Sequence, residues 1–139
     1  MGLFGEAAEY VDSLARGGRR ILFVGTKRQA REVVEEEAKR CGQFWMTHRW
    51  LGGTLTNFMT IRQSIDRLKE IERRMEEEAG TLMKKELLRL DRDRVKMTRN
   101  LDGIREMEQL PDALFVVDPK KEAIAVAEVR IDVAGRTSA

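Results

Sequence analysis

Ile21-Leu22-Phe23-Val24, closed by Gly25, and Ala113-Leu114-Phe115-Val116-Val117, opened by Pro111-Asp112 and closed by Asp118-Pro119, are the two runs that decide the fold. Neither alternates polar with apolar residues, the mark of strands covered on both faces, as in a parallel sheet between helices. Outward from the first run, Lys27 to Arg40 has the spacing of a helix with Ala30, Val33, Val34 and Ala38 on one face, and Gln43 to Thr47 reads as a short strand. Beyond the second run, Lys120 to Arg130 reads as a helix offering Ala123, Ala125, Val126 and Val129 for packing, with Asp118 as N-cap and Pro119 at the first helical position. Strand, helix, strand, insertion, strand, helix predicts an α/β fold. The expected form is a small, incomplete doubly wound parallel sheet of the flavodoxin or Rossmann kind, with right-handed crossovers. The tail from Ile131 to Ala139 offers at most one weak further strand, so a sheet edge is expected to lie open and to favour self-association.

The insertion is helical by its period. Phe58, Ile61, Ile65, Leu68, Ile71 and Met75 recur at three- and four-residue steps. After Gly80-Thr81 a second stripe runs Met83, Leu87, Leu90, Met97, Leu101 and Ile104, with Arg94 where one apolar heptad position is missing. Two stripes predict an antiparallel coiled-coil hairpin, with Gly80 left-handed at the end of its first helix and Thr81 capping the second. A first helix from Thr56 to Ala79 makes an arm about 35 Å long, which is expected to project from a small body. Residues 1–53 and 110–139 are then the α/β body and residues 54–109 the inserted hairpin. The hairpin carries thirteen basic and twelve acidic residues between positions 62 and 109, with pairs such as Glu70–Arg74 expected on its surface.

Composition narrows the function classes. The chain has 139 residues, 42% hydrophobic and 36% charged, which suits one folded domain and excludes both a multidomain enzyme and disorder throughout. Lys plus Arg number 26 against 24 Asp plus Glu, so bulk charge does not attract nucleic acid and any basic site is local. Residues 16–49 are the basic segment, with nine basic residues against four acidic, whereas residues 1–15 are acidic. Cys41 stands alone, and no stretch reaches the roughly 20 apolar residues of a membrane span. Without a basic stretch and apolar run at the amino terminus, the expected location is cytoplasmic.

Few residue sets carry chemistry. Gly25-Thr26-Lys27 follows a strand and opens a helix, the place where backbone N–H groups hold a phosphate, but it lacks the spacing of a complete phosphate loop and equally serves as an ordinary turn. Asp118 lies where α/β proteins place ligand residues, yet also caps a helix. His48 is the single histidine, with no second histidine or cysteine near it in sequence, so no metal, no cofactor and no catalytic residues are expected. The informative stretch is His48-Arg49-Trp50-Leu51-Gly52-Gly53-Thr54-Leu55-Thr56-Asn57-Phe58. Its guanidinium, indole, imidazole and flexible glycines can grip a sugar–phosphate backbone and stack on an unpaired base, or can simply shape the hairpin base with Trp50 and Phe58 packed inside. Lys84, Lys85, Arg89, Arg92, Arg94, Lys96 and Arg99 form a basic run on the second hairpin helix, which is either a solvated face or a phosphate-binding one. Gly17-Gly18-Arg19-Arg20 is likewise surface punctuation or a phosphate contact.

Four blocks resemble one family, that of the second protein of the bacterial small ribosomal subunit. They are Ile21-Leu22-Phe23-Val24-Gly25-Thr26-Lys27-Arg28-Gln29-Ala30, Arg49 to Phe58, Leu101-Asp102-Gly103-Ile104, and Leu110 to Val126, in family order between residues 13 and 130. The resemblance implies a doubly wound domain with an inserted coiled-coil hairpin, binding to small-subunit ribosomal RNA, contact with neighbouring ribosomal proteins including the large first protein of that subunit, and no enzymatic activity. It raises Lys27, Arg28, Arg31, His48, Arg49, Trp50, Gly52 and Gly53 to RNA-contacting or RNA-positioning candidates, joined by Lys84, Lys85, Arg89 and Lys96 on one face of the arm. The chain departs from the family at both ends: the family's longer start with its additional hairpin is shortened to residues 1–10, and its later Ile-Pro-x-Ile-Ala strand gives way to Gly-Arg-Thr-Ser-Ala. A fragment or shortened product is expected, and a homo-oligomerising module that has lost RNA binding is the rival reading.

Overall fold

A computed structural model describes Ser13, residues 16–118 and residues 120–137, with side chains placed as far as Arg130. Three parallel strands, β1 (Ile21–Val24), β2 (Phe44–Met46) and β3 (Ala113–Val116), form one sheet in the order β2-β1-β3. The register pairs Leu22 with Phe44 and Leu114, and Val24 with Met46 and Val116. All four β1 residues are buried, because alternate side chains enter two different cores. Ile21 and Phe23 face Val34 and Ala38 of helix α1 (Arg31–Cys41), with Phe115 against Phe23 at a ring separation of 5.4 Å. Leu22 and Val24 face the opposite side. The α/β class and the incomplete doubly wound parallel sheet are as the sequence predicts.

Helix α1 starts four residues later than its periodicity suggests, since Lys27 to Ala30 form a turn whose Ala30 and Arg31 N–H groups both donate to the Lys27 carbonyl. Val33 is 52% exposed rather than core-facing: it sits 100° round the helix from Val34, while Val34 and Ala38 are buried against the sheet and Ala30 and Cys41, partly buried, pack against the same core. Gly25 joins β1 to this turn under a tight constraint, because a Cβ there would lie 2.8 Å from Val34 Cγ2. Valine has little rotamer freedom with which to yield. Gly25→Ala is therefore expected to lower stability by about 1.5 kcal/mol, read as a lower urea midpoint with an unchanged denaturant slope.

The hairpin consists of α2 (Phe58–Glu77) and α3 (Lys84–Leu101), followed by a 3-10 turn at Asp102–Ile104. Ile61, Ile65 and Leu68 of α2 share one core with Leu22, Val24, Met46, Leu101, Ile104 and Met107. The root of the arm thus covers the second face of the sheet instead of merely projecting from it. The connection between the helices differs from the expected caps. Gly80 has no positive φ, and the N–H groups of Thr81 and Leu82 close the turn by donating to the Glu78 carbonyl, as does the Thr81 hydroxyl. Met83 stands at the start of α3 with no side-chain cap, so Thr81 stabilises the turn and not the second helix. Charge pairing also shifts by one residue: Glu70 pairs with Arg73, while Arg74 bridges Glu78 and Glu86 across the turn. At the root, Arg105 binds Glu72 at 2.8 Å and Arg62 donates to the Met107 carbonyl at 3.0 Å. Arg20, a candidate phosphate contact, instead ties β1 to the exit of the arm by donating to the Leu110 carbonyl and pairing with Asp112.

Helix α4 (Ala123–Thr137) replaces the weak strand expected after Arg130. Extending an existing helix adds one hydrogen bond per residue fixed, whereas a new strand would need a turn and a fresh edge partner. Asp118 does not cap it: its φ is +58°, its carbonyl accepts from Lys121 and Glu122, and the helix starts at Ala123, while Pro119 lies outside the described residues. Ala125 and Glu128 are the buried residues of α4 and Glu122, in the turn just before it, lies on the same face, with Ala123 exposed. The acidic opening segment, Ser13 apart, falls mostly outside the described residues.

Candidate nucleic-acid interface

Between β2 and α2 the chain makes a succession of turns from Gly52 to Asn57, and a single carboxylate organises them. Glu128, 6% exposed, accepts the Trp50 indole N–H at 2.6 Å and the Gly53 N–H at 3.0 Å on one oxygen. Its other oxygen accepts the N–H of Leu55 at 3.1 Å, the N–H of Thr56 at 3.3 Å and the Thr56 hydroxyl at 3.2 Å. Burial by itself would raise the Glu128 pKa, but the hydrogen bonds from Trp50, Gly53, Leu55 and Thr56 outweigh it and hold the carboxyl below its ordinary value. The loop adds bonds of its own, Thr54 N–H and hydroxyl to the Leu51 carbonyl and Asn57 N–H to the Gly53 carbonyl at 2.7 Å. Gly53 has φ +92°, and a Cβ there would press on Asn57 at 3.0 Å, so this position requires glycine.

A second carboxylate, just before α4, closes the other turn. Glu122, 4% exposed, accepts the Thr26 N–H at 2.9 Å and also the Thr26 hydroxyl. The Thr26 donors that would face a phosphate are therefore already occupied by an anion, and the Gly25 N–H is spent on the Met46 carbonyl. Lys27 pairs at 4.0 Å with Asp118.

The candidates divide by environment. Trp50, 7% exposed, is packed in the core that holds the arm root, so it positions the loop from within. Arg49, His48 and Gly52 are exposed on the outer side of the same loop, and Arg28 is exposed beside the Lys27 turn. Arg31 is half-buried, and its Nε has no hydrogen-bond partner among the described residues. Partial desolvation, then the nearby Arg31 and Arg99 guanidiniums, hold the His48 imidazole below its ordinary pKa, so the ring is neutral at pH 7.

Arg99 is a residue that sequence reasoning left out of the site, as it did Arg92. Lys85, Arg89, Arg92, Lys96 and Arg99 are spaced four, three, four and three residues apart, and all five are exposed. That spacing lines one face of α3 with a cation about every 5 Å over roughly 21 Å, and the last of them, Arg99, is near enough to His48 of the body to act on its charge, as Arg31 does. No carboxylate among the described residues ion-pairs with these five, nor with Arg28, Arg31, Arg49, Lys84 or Lys121, whereas Arg62, Arg73, Arg74, Arg94 and Arg105 are all neutralised within the hairpin. The heptad register of charge was legible; which cations remain unpaired was not.

The family model described as Ribosomal protein S2 matches residues 1–133. The chain belongs to the ribosomal protein S2 family. Members of the ribosomal protein S2 family are structural constituents of the small ribosomal subunit, acting in translation, and the family is not one of enzymes. The matched span contains all four sequence blocks, the Glu122 and Glu128 clamps and the whole cationic stripe. No helix among the described residues of this ribosomal protein S2 family member is long and apolar enough to cross a membrane. No three of its described His, Cys, Asp and Glu residues gather where they could hold a metal ion.

Proposed function

We propose that the chain binds small-subunit ribosomal RNA through a cationic track, running along α3 from Lys85 to Arg99 and onto Arg31 and Arg49 of the body, with the neutral His48 ring beside it. The observation that carries this reading is the alignment of charge on α3: five of its six cations without an ion pair among the described residues, Lys85, Arg89, Arg92, Lys96 and Arg99, fall on one stripe, while Arg94, paired with Asp91, lies on the opposite face. A solvated helix gains from scattered i,i+4 pairs and has no need of such a stripe. A polyanion does, because each neutralised phosphate releases counterions. In this reading residues 1–53 and 110–139 are a body that presents the loop, residues 54–109 are a stiff arm, Lys27, Arg28, Lys84 and Gly53 support the contact, and Trp50 positions it. The work is positioning and charge neutralisation in the cytoplasmic ribosome, beside neighbouring ribosomal proteins that include the large first protein of the small subunit.

The test is a salt-series titration of the 139-residue chain against a small-subunit ribosomal RNA fragment, with tRNA as competitor. Affinity is expected to fall linearly on logarithmic axes as salt rises, and the combined variant Lys85→Gln, Arg89→Gln, Lys96→Gln should lose about two to three units of that slope while keeping its melting temperature. A salt-independent affinity, or equal displacement by tRNA, sinks the reading. Sedimentation on the same sample separates RNA-driven assembly from self-association through the sheet edges.

A further inference from the structure

Where β1 and β2 end, the chain leaves a cleft of about 390 Å³ lined by Thr26, His48, Arg49, Gly52, Lys121 and Ile124. The order β2-β1-β3 sends successive connections to opposite sides of β1, and a crevice outside the carboxyl ends of the strands at such a reversal is where doubly wound sheets hold ligands. Its size suits a small organic group.

The contents of the cleft limit that group. Glu122 already sits on the Thr26 N–H and hydroxyl, so the inner end rejects a terminal phosphate of the kind a free nucleotide would bring. The outer end is of opposite character. Arg49 and Lys121 are exposed there, with no ion-pair partner among the described residues. Ile124, which lines the same cleft, is 65% exposed, a large apolar side chain left uncovered. Gly52 is the telling residue. It has no positive φ, and a Cβ built on it would meet nothing within 4 Å, so neither backbone conformation nor internal packing calls for glycine. The open face over the Gly52 backbone leaves room for a group from outside the chain to approach it closely.

We propose that this cleft receives one unpaired nucleotide of the bound RNA, its base against Ile124, its sugar over the bare Gly52 backbone, and its flanking phosphates on Arg49 and Lys121. Proteins read RNA chiefly at such unstacked nucleotides, since a paired base offers them only its groove edge. The inference rests on the RNA-binding reading above and adds to it the kind of RNA: a strand with an unpaired residue, in preference to an uninterrupted duplex or a free mononucleotide.

The experiment compares two labelled RNAs of equal length by fluorescence anisotropy, one a stem with an unpaired internal stretch and the other fully paired, using the whole chain, Gly52→Leu and Ile124→Ser. The unmodified chain is expected to prefer the interrupted stem by about tenfold. Gly52→Leu, which fills the mouth, should abolish that preference while leaving duplex affinity, salt slope and melting temperature unchanged, and Ile124→Ser should reduce the preference without filling the cleft. If Gly52→Leu fails to fold, Ile124→Ser decides the question alone, because its side chain is mostly outside the core. Binding of both RNAs with the preference untouched by either variant overturns the cleft and leaves the cationic track standing. Binding of neither RNA by the unmodified chain overturns both.

Discussion

Glu128→Ala is expected to lower the unfolding free energy by about 4 kcal/mol, a large fraction of what holds a domain of this size together. The substitution removes one side chain but strands five donors, of which the Trp50 indole N–H and the Leu55 N–H are buried with no other acceptor assigned to them. Each buried donor left unmade costs its own desolvation, so the loss exceeds that of any single hydrogen bond. Glu128→Gln should be milder, since its amide oxygen still accepts, but its amide hydrogens then oppose N–H groups. Chemical denaturation of the three proteins reads the order directly; near-equal stabilities would show that the loop does not depend on this carboxylate. Acid provides a second reading. Because the folded Glu128 pKa lies below its unfolded value, the carboxylate's contribution is present in full above the unfolded pKa and is lost as pH falls through the folded one. The stability gap between the unmodified chain and Glu128→Gln should therefore be constant near neutrality and narrow under acid.

Gly103→Ala is the second large effect, expected at about 3 kcal/mol or as outright failure of the arm root to dock. A Cβ at Gly103 would fall 2.0 Å from the Trp45 carbonyl oxygen and 2.7 Å from two atoms of its indole ring. The nearest atom is strand backbone, which cannot swing away as a side-chain tip could, so either β2 or the 3-10 turn must move. The glycine is required by proximity and not by φ, since Gly103 is not among the positive-φ positions. Thermal unfolding with hydrogen exchange at β2 and α3 checks it: a stable variant with unchanged protection in both would contradict the close approach.

The residues that were read correctly share one property, that their pattern is local. The strand runs at Ile21 and Ala113 and the α2 stripe at Ile61, Ile65, Leu68 and Ile71 are legible because burial imposes a period on neighbouring positions. Glu122 and Glu128 were not, because a glutamate on a helix is solvated in most proteins, and nothing within a few residues of either announces donors 72 to 96 positions away. The one available hint was the spacing of Glu122, Ala125 and Glu128, which puts both acids on the face of the small residue that packs. Trp50 was left between stacking and packing for the same reason: its partner is on α4, and without that partner an indole between arginine and glycines fits either reading, of which the structure has the packed one.

The sequence by itself determined the α/β class, the parallel strands and the heptad hairpin, since each follows from short-range periodicity and from turns that the backbone enforces on its own. The choice of what covers the sheet belonged to the tertiary structure. One face of β1 is sealed by α1 and the other by the root of the insertion together with α4, an arrangement that brings Ile65 against Leu22 and sets two glutamates under the loops they hold. Which cations stay unpaired was decided there too, because an ion pair depends on distance across elements, and distance between elements is fixed only when the core closes.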